Sequence, residues 1–329
     1  MAALGSVGKF TEFWRVLRDL NPEAVRRDVE RGFTLALLGA DEAGRSALRR
    51  ALQPAAGHAA HQYLLECDGA DALPRADLYF YVANAEAGLS GADVSALEQL
   101  YLSARPAVLV FAGDCGPMAG KLQETSRDLG GLVGSVIAID PYDPQAVERH
   151  LAGTLLETLP NRSLAMARSL SLLRARTAAA VIAETSRVNA EFALLSNLPA
   201  DIPILGTLMG AGADFLILTK NQAMMVLKLA AVYGRPLHDK WRLAIEIAPV
   251  VGAAFAWRTI SRLLVGSLPT PIAAVPKMAI AYAGTFVVGR MARYYFEYGE
   301  RPSRQTVRQF ADEAAADWQR TLAGSADLT

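Results

Sequence analysis

Apolar residues recur along this chain with periods that change from region to region. Phe10, Phe13, Trp14 and Leu17 fall at i, i+3, i+4 and i+7, so residues 9 to 20 are predicted to form a helix with one apolar stripe. That aromatic stripe suits either packing on the following domain or a bilayer surface. Asn21 and Pro22 supply an N-cap and a first-turn proline for a second, highly charged helix, EAVRRDVER, which Gly32 stops. From residue 33 to about 150, short apolar runs alternate with helix-length segments such as DVSALEQLYLSA. Strands are predicted at 33 to 38, 62 to 66, 77 to 83, 107 to 112 and 135 to 139. Continuous apolar strands separated by helices mean an α/β fold whose parallel sheet is covered on both faces.

After Pro160 the strand signal disappears. Residues 164 to 198 alternate Leu and Ala with Arg at helical spacing. Four more apolar stretches follow, at 204 to 219, 243 to 257, 263 to 276 and 278 to 289, and no charge-free run reaches the roughly 18 residues that mark a spanning helix. Shorter runs suit buried core helices or re-entrant segments. Against that, Asp214, Arg258, Arg262 and Lys277 are single charges in long apolar surroundings, where a lone charge snorkels or pairs inside a bundle. Gly206, Gly210 and Gly212 give a small-residue face, and Pro269, Pro271 and Pro276 break the third stretch. Two readings stay open: membrane insertion or tight membrane association, and an unusually apolar helical bundle in water.

Composition sharpens this picture without closing it. Hydrophobic residues make up 52% of the chain and the mean hydropathy is +0.20, which calls for a membrane or an extensive buried helical core. Lys plus Arg and Asp plus Glu both number 33, so no global basic field points to nucleic acid. The opening MAALGSVGKFTEFWRVLRDL lacks the basic, apolar and small-residue regions of a secretory signal, and two cysteines suit a reducing compartment. The α/β half is therefore expected on the cytoplasmic side.

Candidate chemistry begins at residues 39 to 46, GADEAGRS, directly after the first strand. A working P-loop is G-x-x-x-x-G-K-[ST], in which backbone N–H groups cradle phosphates, the lysine reaches the β- and γ-phosphates, and the hydroxyl holds Mg²⁺. Gly39, Gly44 and Ser46 match, and Arg45 stands where the lysine belongs. Arginine keeps the charge, but its planar fork is wider than an ammonium. The bland alternative for this stretch is a tight strand-to-helix turn. If the frame is a G domain, a D-x-x-G element should follow the next strand, and Glu66-Cys67-Asp68-Gly69 stands there with Glu66 replacing aspartate. The base-reading N-K-x-D should follow the fourth strand, where the chain reads Ala112-Gly113-Asp114-Cys115 and none of the three recognition residues is in place. Only 19 residues separate Ser46 from Glu66, which leaves little room for a switch-I loop, its metal-binding threonine or an added edge strand. The pattern is that of a G domain with its switch deleted. Its phosphate and switch site would comprise Gly39, Gly44, Arg45, Ser46, Glu66 and Gly69, with GTP and Mg²⁺ as the ligands at issue.

Other candidates are weaker. His58 and His61, near Cys67 and Asp68, permit a metal site to be drawn, although two incidental loop histidines explain them as well. In a G-protein strand order, 3-1-4-5 in that family's own count, Cys67 and Cys115 sit three strand spacings apart, about 14 Å, so a disulfide between them is excluded.

The run RTAAAVIAETSRVNAEFALLSNLPADIPILGTLMGAGADFLILTKNQAMMVLKLAAVYGR resembles the bacterial YcjF-type domain of unknown function. Its most specific pieces are Leu198-Pro199 to Gly206, then Asp214, then TKNQAMMVLKLAAVYG ending in Gly234. Modules of that family are helical, often membrane-associated, and lie behind Era-like or dynamin-like GTPase domains. The resemblance covers roughly 165 to 300 and implies an architecture, not an activity. The expected organisation is N-terminal helices over 1–32, a degenerate P-loop-like (G-protein-like) parallel α/β domain over 33–160, an all-α, membrane-associated domain over 161–300, and a C-terminal helix and tail over 301–329.

Two functions from different classes follow. The first is a membrane-associated pseudo-GTPase: an interaction or docking module that has lost hydrolysis, with membrane lipid and an unidentified protein as partners and homo-oligomers allowed. The second is a slow or nonspecific NTPase whose nucleotide state alters its membrane helices, supported by the intact glycine frame. A transport path through Asp214, Lys220 and Lys277 is the least economical reading, because scattered charges suit bundle-interior pairs or interfacial anchors.

Overall fold

The strand Leu35–Leu38 (β1) is buried at all four positions, as a strand sandwiched between two helical layers must be. In the computed structural model it lies inside a five-stranded, wholly parallel sheet. The structure describes residues 22–39, 42–52, 63–67, 73–113, 116, 120–129, 131–140, 142–195, 213–238 and 274–326. Two compact units result, one comprising Arg27–Thr177, the other Met1–Arg26 with Ala178–Thr329.

Helix α1 (Glu23–Glu30) runs across the division between Arg26 and Arg27, and in the first unit β1 is followed by α2 (Glu42–Ala51), β2 (Leu64–Glu66), β3 (Leu78–Asn84), α3 (Gly91–Leu102), β4 (Ala107–Ala112), α4 (Leu122–Asp128) and β5 (Ser135–Ile139). All five predicted strands are present, shifted by no more than two residues at either end. The strand order is β2-β1-β3-β4-β5, which puts β2 and β4 three spacings apart, and no further strand is described beyond β2.

The sheet's two faces follow from the alternation. Ala36, Leu38, Tyr79, Tyr81, Leu109 and Phe111 form one core layer with Leu97 and Leu100 of α3 and Leu129 after α4. Leu35, Leu37, Leu78, Phe80, Val108 and Val110 occupy the intervening positions and are equally buried. At about 1.5–3 kcal/mol per fully buried large side chain, these two layers dominate the unit's stability. Helix α3 is started by a capping box: Ser90 Oγ accepts from the Asp93 amide at 3.2 Å and Asp93 accepts from the Ser90 amide at 2.7 Å. Tyr81 also donates to Asp93 at 2.8 Å. Burial pushes the Asp93 carboxyl up, but its hydrogen bonds from Ser90 and Tyr81 outweigh that and hold it below the usual carboxylate value.

Beyond β5 the unit continues as α5 (Pro144–Ala146), a π-helical turn (Val147–Leu151), α6 (Ala152–Thr158), a 3₁₀ turn (Pro160–Arg162) and α7 (Ser163–Ser169). The strands therefore stop at Ile139, while helices up to Thr177 belong with the sheet.

The second unit is helical among its described residues: the part of α8 (Ser171–Leu195) from Ala178 onward, α9 (Ala213–Val232), α10 (Ala274–Tyr298) and α11 (Arg304–Ala326). Neutral polar side chains join three of these helices. Asn189 of α8 donates to Thr285 Oγ1 of α10 at 2.8 Å and accepts from Asn221 of α9 at 2.8 Å, while Gln222 donates to the same Thr285 oxygen at 3.2 Å. Asn189 and Thr285 have no solvent exposure. One turn along α10, a Cβ on Gly289 would lie 2.6 Å from Ile182 Cγ1 and 3.1 Å from Met225 Sδ, so glycine permits the close approach.

No described helix is long and apolar enough to cross a membrane. The aromatic stripe at 9 to 20, the stretch at 243 to 257, and most of 204 to 219 and of 263 to 276 lie outside the described residues.

Candidate functional site

The candidate cradle is built where β1 gives way to α2. Gly39 has φ +123°, and a Cβ there would come within 2.0 Å of the Val82 carbonyl oxygen on β3. No other residue fits, and packing between neighbouring strands is sufficient cause. Helix α2 then begins at Glu42. In G-x-x-x-x-G the four residues between the glycines make the phosphate loop. Here Glu42, Ala43 and Gly44 are already helical, leaving Ala40 and Asp41 before the helix.

Arg45 follows Gly44 inside the first turns of α2, and both are buried. Its Nη1 donates to the Cys67 carbonyl at 2.8 Å, across to the end of β2. That strand end is already tied to β1, because the Cys67 amide donates to the Leu37 carbonyl at 3.0 Å. The side chain in the lysine position thus knits α2 to the sheet edge. A charged donor on a backbone carbonyl contributes about 1.5–3 kcal/mol, well above an exposed ion pair. Ser46, the next residue, is half-buried.

Glu66, the candidate switch carboxylate, is in register with Leu37, and Cys67 packs against the core layer that contains Ala36 and Leu38. Its carboxylate pairs with Arg49 of α2 at 3.3 Å, and both side chains are well exposed. Arg49 is the residue that reading by motif overlooks, although its place four residues after Arg45 on a helix was a usable signal. Gly69, the last of the candidate residues, lies outside the described residues, as do His58, His61 and Asp68. Among the described residues no group of three His, Cys, Asp or Glu side chains is placed to hold a metal ion.

At the base-reading position Gly113 has φ +131° and its amide donates to the Ile139 carbonyl at 3.2 Å, so the chain after β4 remains tied to β5. Asp114 and Cys115 are outside the described residues. A cavity of about 620 Å³ lies elsewhere in the same unit, between Arg50, Tyr142, Val147, Glu148, Ser171 and Leu172. None of Gly39, Gly44, Arg45, Ser46 and Glu66 lines it. Arg50 stacks 5.3 Å above the Tyr142 ring and donates to its hydroxyl at 3.3 Å, an ordering of two surface side chains. This cavity and the motif that suggests a ligand are therefore in different places. Neither protein-family models nor curated proteins give a match to this chain.

Proposed function

We propose that this chain is a membrane-associated pseudo-GTPase, in which a P-loop-derived α/β domain serves as an interaction module and a helical part of YcjF type holds it at a membrane. The carrying observation is Arg45, whose guanidinium bonds the Cys67 carbonyl at 2.8 Å where a catalytic lysine would reach phosphate. Two further features support the reading. Helix α2 starts before Gly44, so the loop that would wrap a phosphate is shortened. Glu66 is engaged by Arg49 on the outside of α2, in an arrangement that needs no Mg²⁺. The NTPase alternative drew its support from the glycine frame, and the approach of Gly39 to Val82 supplies a packing reason for the first of those glycines.

In this reading the sheet unit faces the cytoplasm and presents its surface to a protein partner, while lipid contacts come from the helical part. The test is a fluorescent-GTP titration of the full chain with Mg²⁺. No saturable binding is expected in the micromolar range, and Arg45→Lys alone should not create it, because the helix would still begin at Glu42. Tight Mg²⁺-dependent binding by the wild-type chain, abolished by Gly44→Val, overturns the proposal in favour of the NTPase.

A further inference from the structure

The corner where α10 gives way to α11 concentrates amphipathic rings and cations. Along α10 the apolar stretch 278 to 289 ends in RMARYYFEYGER. Tyr298 is 62% exposed, and the half-buried Tyr294 packs against it with the rings tilted by 48° and their centroids 4.6 Å apart. Three of the carboxylates nearby, Glu297, Glu300 and Glu313, are already engaged, while Asp312 is exposed one turn after Arg308. Glu297 accepts from Arg293 and from Tyr233, each at 3.3 Å, Glu300 accepts from Tyr294 at 3.4 Å, and Glu313 pairs with Arg290 at 2.8 Å. Arg301, Arg304 and Arg308 are exposed and make no ion pair among the described residues. They gather at the N-terminus of α11, whose backbone N–H groups add to the positive potential; there Ser303 caps Thr306 at 3.1 Å.

We propose that this corner docks on an anionic lipid surface, with Tyr298 and Tyr294 at headgroup depth and Arg301, Arg304 and Arg308 against the lipid phosphates. The inference rests on the membrane association proposed above and specifies where the helical part meets the bilayer. Tyrosine has an apolar ring and a wet hydroxyl, and arginine an apolar stem and a charged head, so both belong at the headgroup level. Surplus cations complement the negative surface of anionic lipid. The apolar stretch is twelve residues (278 to 289), about 18 Å at 1.5 Å per residue, too short for about 30 Å of hydrocarbon, and its Ala279, Tyr282, Ala283, Val287 and Val288 are buried among the helices, so a lipid contact falls to the exposed end of this helix. An acidic protein surface would match the arginines alone; the exposed Tyr298, with the half-buried Tyr294 against it, at the end of an apolar helix favours lipid.

The experiment places a genetically encoded fluorescent amino acid at position 298 of the full chain, and, as a control, at the exposed Glu98 of α3. Vesicles of phosphatidylcholine with and without phosphatidylglycerol carry nitroxides either at the headgroup or at mid-chain. Position 298 should be quenched most by the headgroup nitroxide, more strongly with phosphatidylglycerol, and position 98 by neither. Arg301→Glu with Arg304→Glu should lower the phosphatidylglycerol-dependent quenching on the order of tenfold. If the chain co-fractionates with vesicles but position 298 stays unquenched, or the arginine pair has no effect, the corner is refuted while membrane association stands; an acidic-protein site would give that result. If the chain leaves every vesicle composition, both fall.

Discussion

The corner at residues 39 to 67 and the junction of α8, α9 and α10 both bury polar groups, and they do so with opposite chemistry. In the corner the buried group is a charge, Arg45, set against a backbone carbonyl at a sheet edge. At the junction the buried groups are a neutral amide and a hydroxyl, Asn189 and Thr285, linked through the half-buried Asn221 and Gln222 across three helices. The corner retains residue types of a phosphate site, but Gly39, Arg45 and Glu66 are directed at its own fold. The junction has no motif chemistry, yet its partners come from three separate segments, so it fixes which turn of each helix faces which. Neutral networks of this kind specify register with less desolvation than a buried ion pair. A sequence motif is thus a poorer guide to present chemistry than the partners its side chains have in the fold.

The largest effect should come from the corner's backbone. Gly39→Ala places a Cβ 2.0 Å from the carbonyl oxygen of Val82, which lies inside β3 next to Tyr81, paired with β1, and is itself paired with Val110 of β4. A loss of about 4 kcal/mol or more is expected, enough to leave the variant insoluble or protease-sensitive. Gly88→Ala separates strain from collision, because Gly88 also has positive φ but nothing within 4 Å of an added Cβ. It should cost about 1 kcal/mol. Equal losses in thermal unfolding would show that conformation, not the strand contact, explains Gly39.

Next comes the junction. Asn189→Leu keeps the branched side-chain skeleton, with bulkier methyl ends, but takes away the acceptor of the Asn221 amide and a donor to Thr285, at about 1–3 kcal/mol per unsatisfied buried group. A loss of about 3 kcal/mol is expected, read as earlier proteolysis of α8 to α10 on heating. Adding Thr285→Val should cost less than the sum of the two single changes, since the groups share one network. Strict additivity would mean the chain of amides is incidental, and the contrast with the corner would lose one side.

Much of the sheet was legible because LALL, LYFYVA and AVLVFA are apolar at nearly every position, a pattern only a doubly covered parallel strand requires. The start of α2 was not. GADEAGRS invites a loop through Gly44, but the acidic Asp41 and Glu42 suit a helix N-terminus and the helix begins there. The role of Arg45 was illegible for a different reason: its acceptor is a backbone carbonyl 22 residues away, and backbone atoms carry no signature in a sequence. The same holds for Asn189 and Thr285, 96 residues apart, whose meeting depends on helix register. The histidines, Gly69 and most of the apolar segments on which the membrane expectation rested lie outside the described residues.

The smallest expected effect is the sharpest on function. Glu66→Gln removes a carboxylate that a G protein would use toward Mg²⁺, and which here pairs with Arg49 at 3.3 Å with the two side chains 54% and 40% exposed. An exposed pair of that kind contributes about 0–1 kcal/mol, much of it screened by salt. The variant should therefore unfold within about 0.5 kcal/mol of wild type, and the difference should shrink in high salt. A carboxylate that organised a metal would behave otherwise, because its loss would leave stability alone but change the response of the chain to Mg²⁺ and nucleotide. Thermal unfolding with and without Mg²⁺-GTP distinguishes the two. No shift for either protein keeps Glu66 in its pair on the surface of α2; a Mg²⁺-GTP shift present in wild type and absent from Glu66→Gln would restore the corner as a nucleotide site and erase its contrast with the junction.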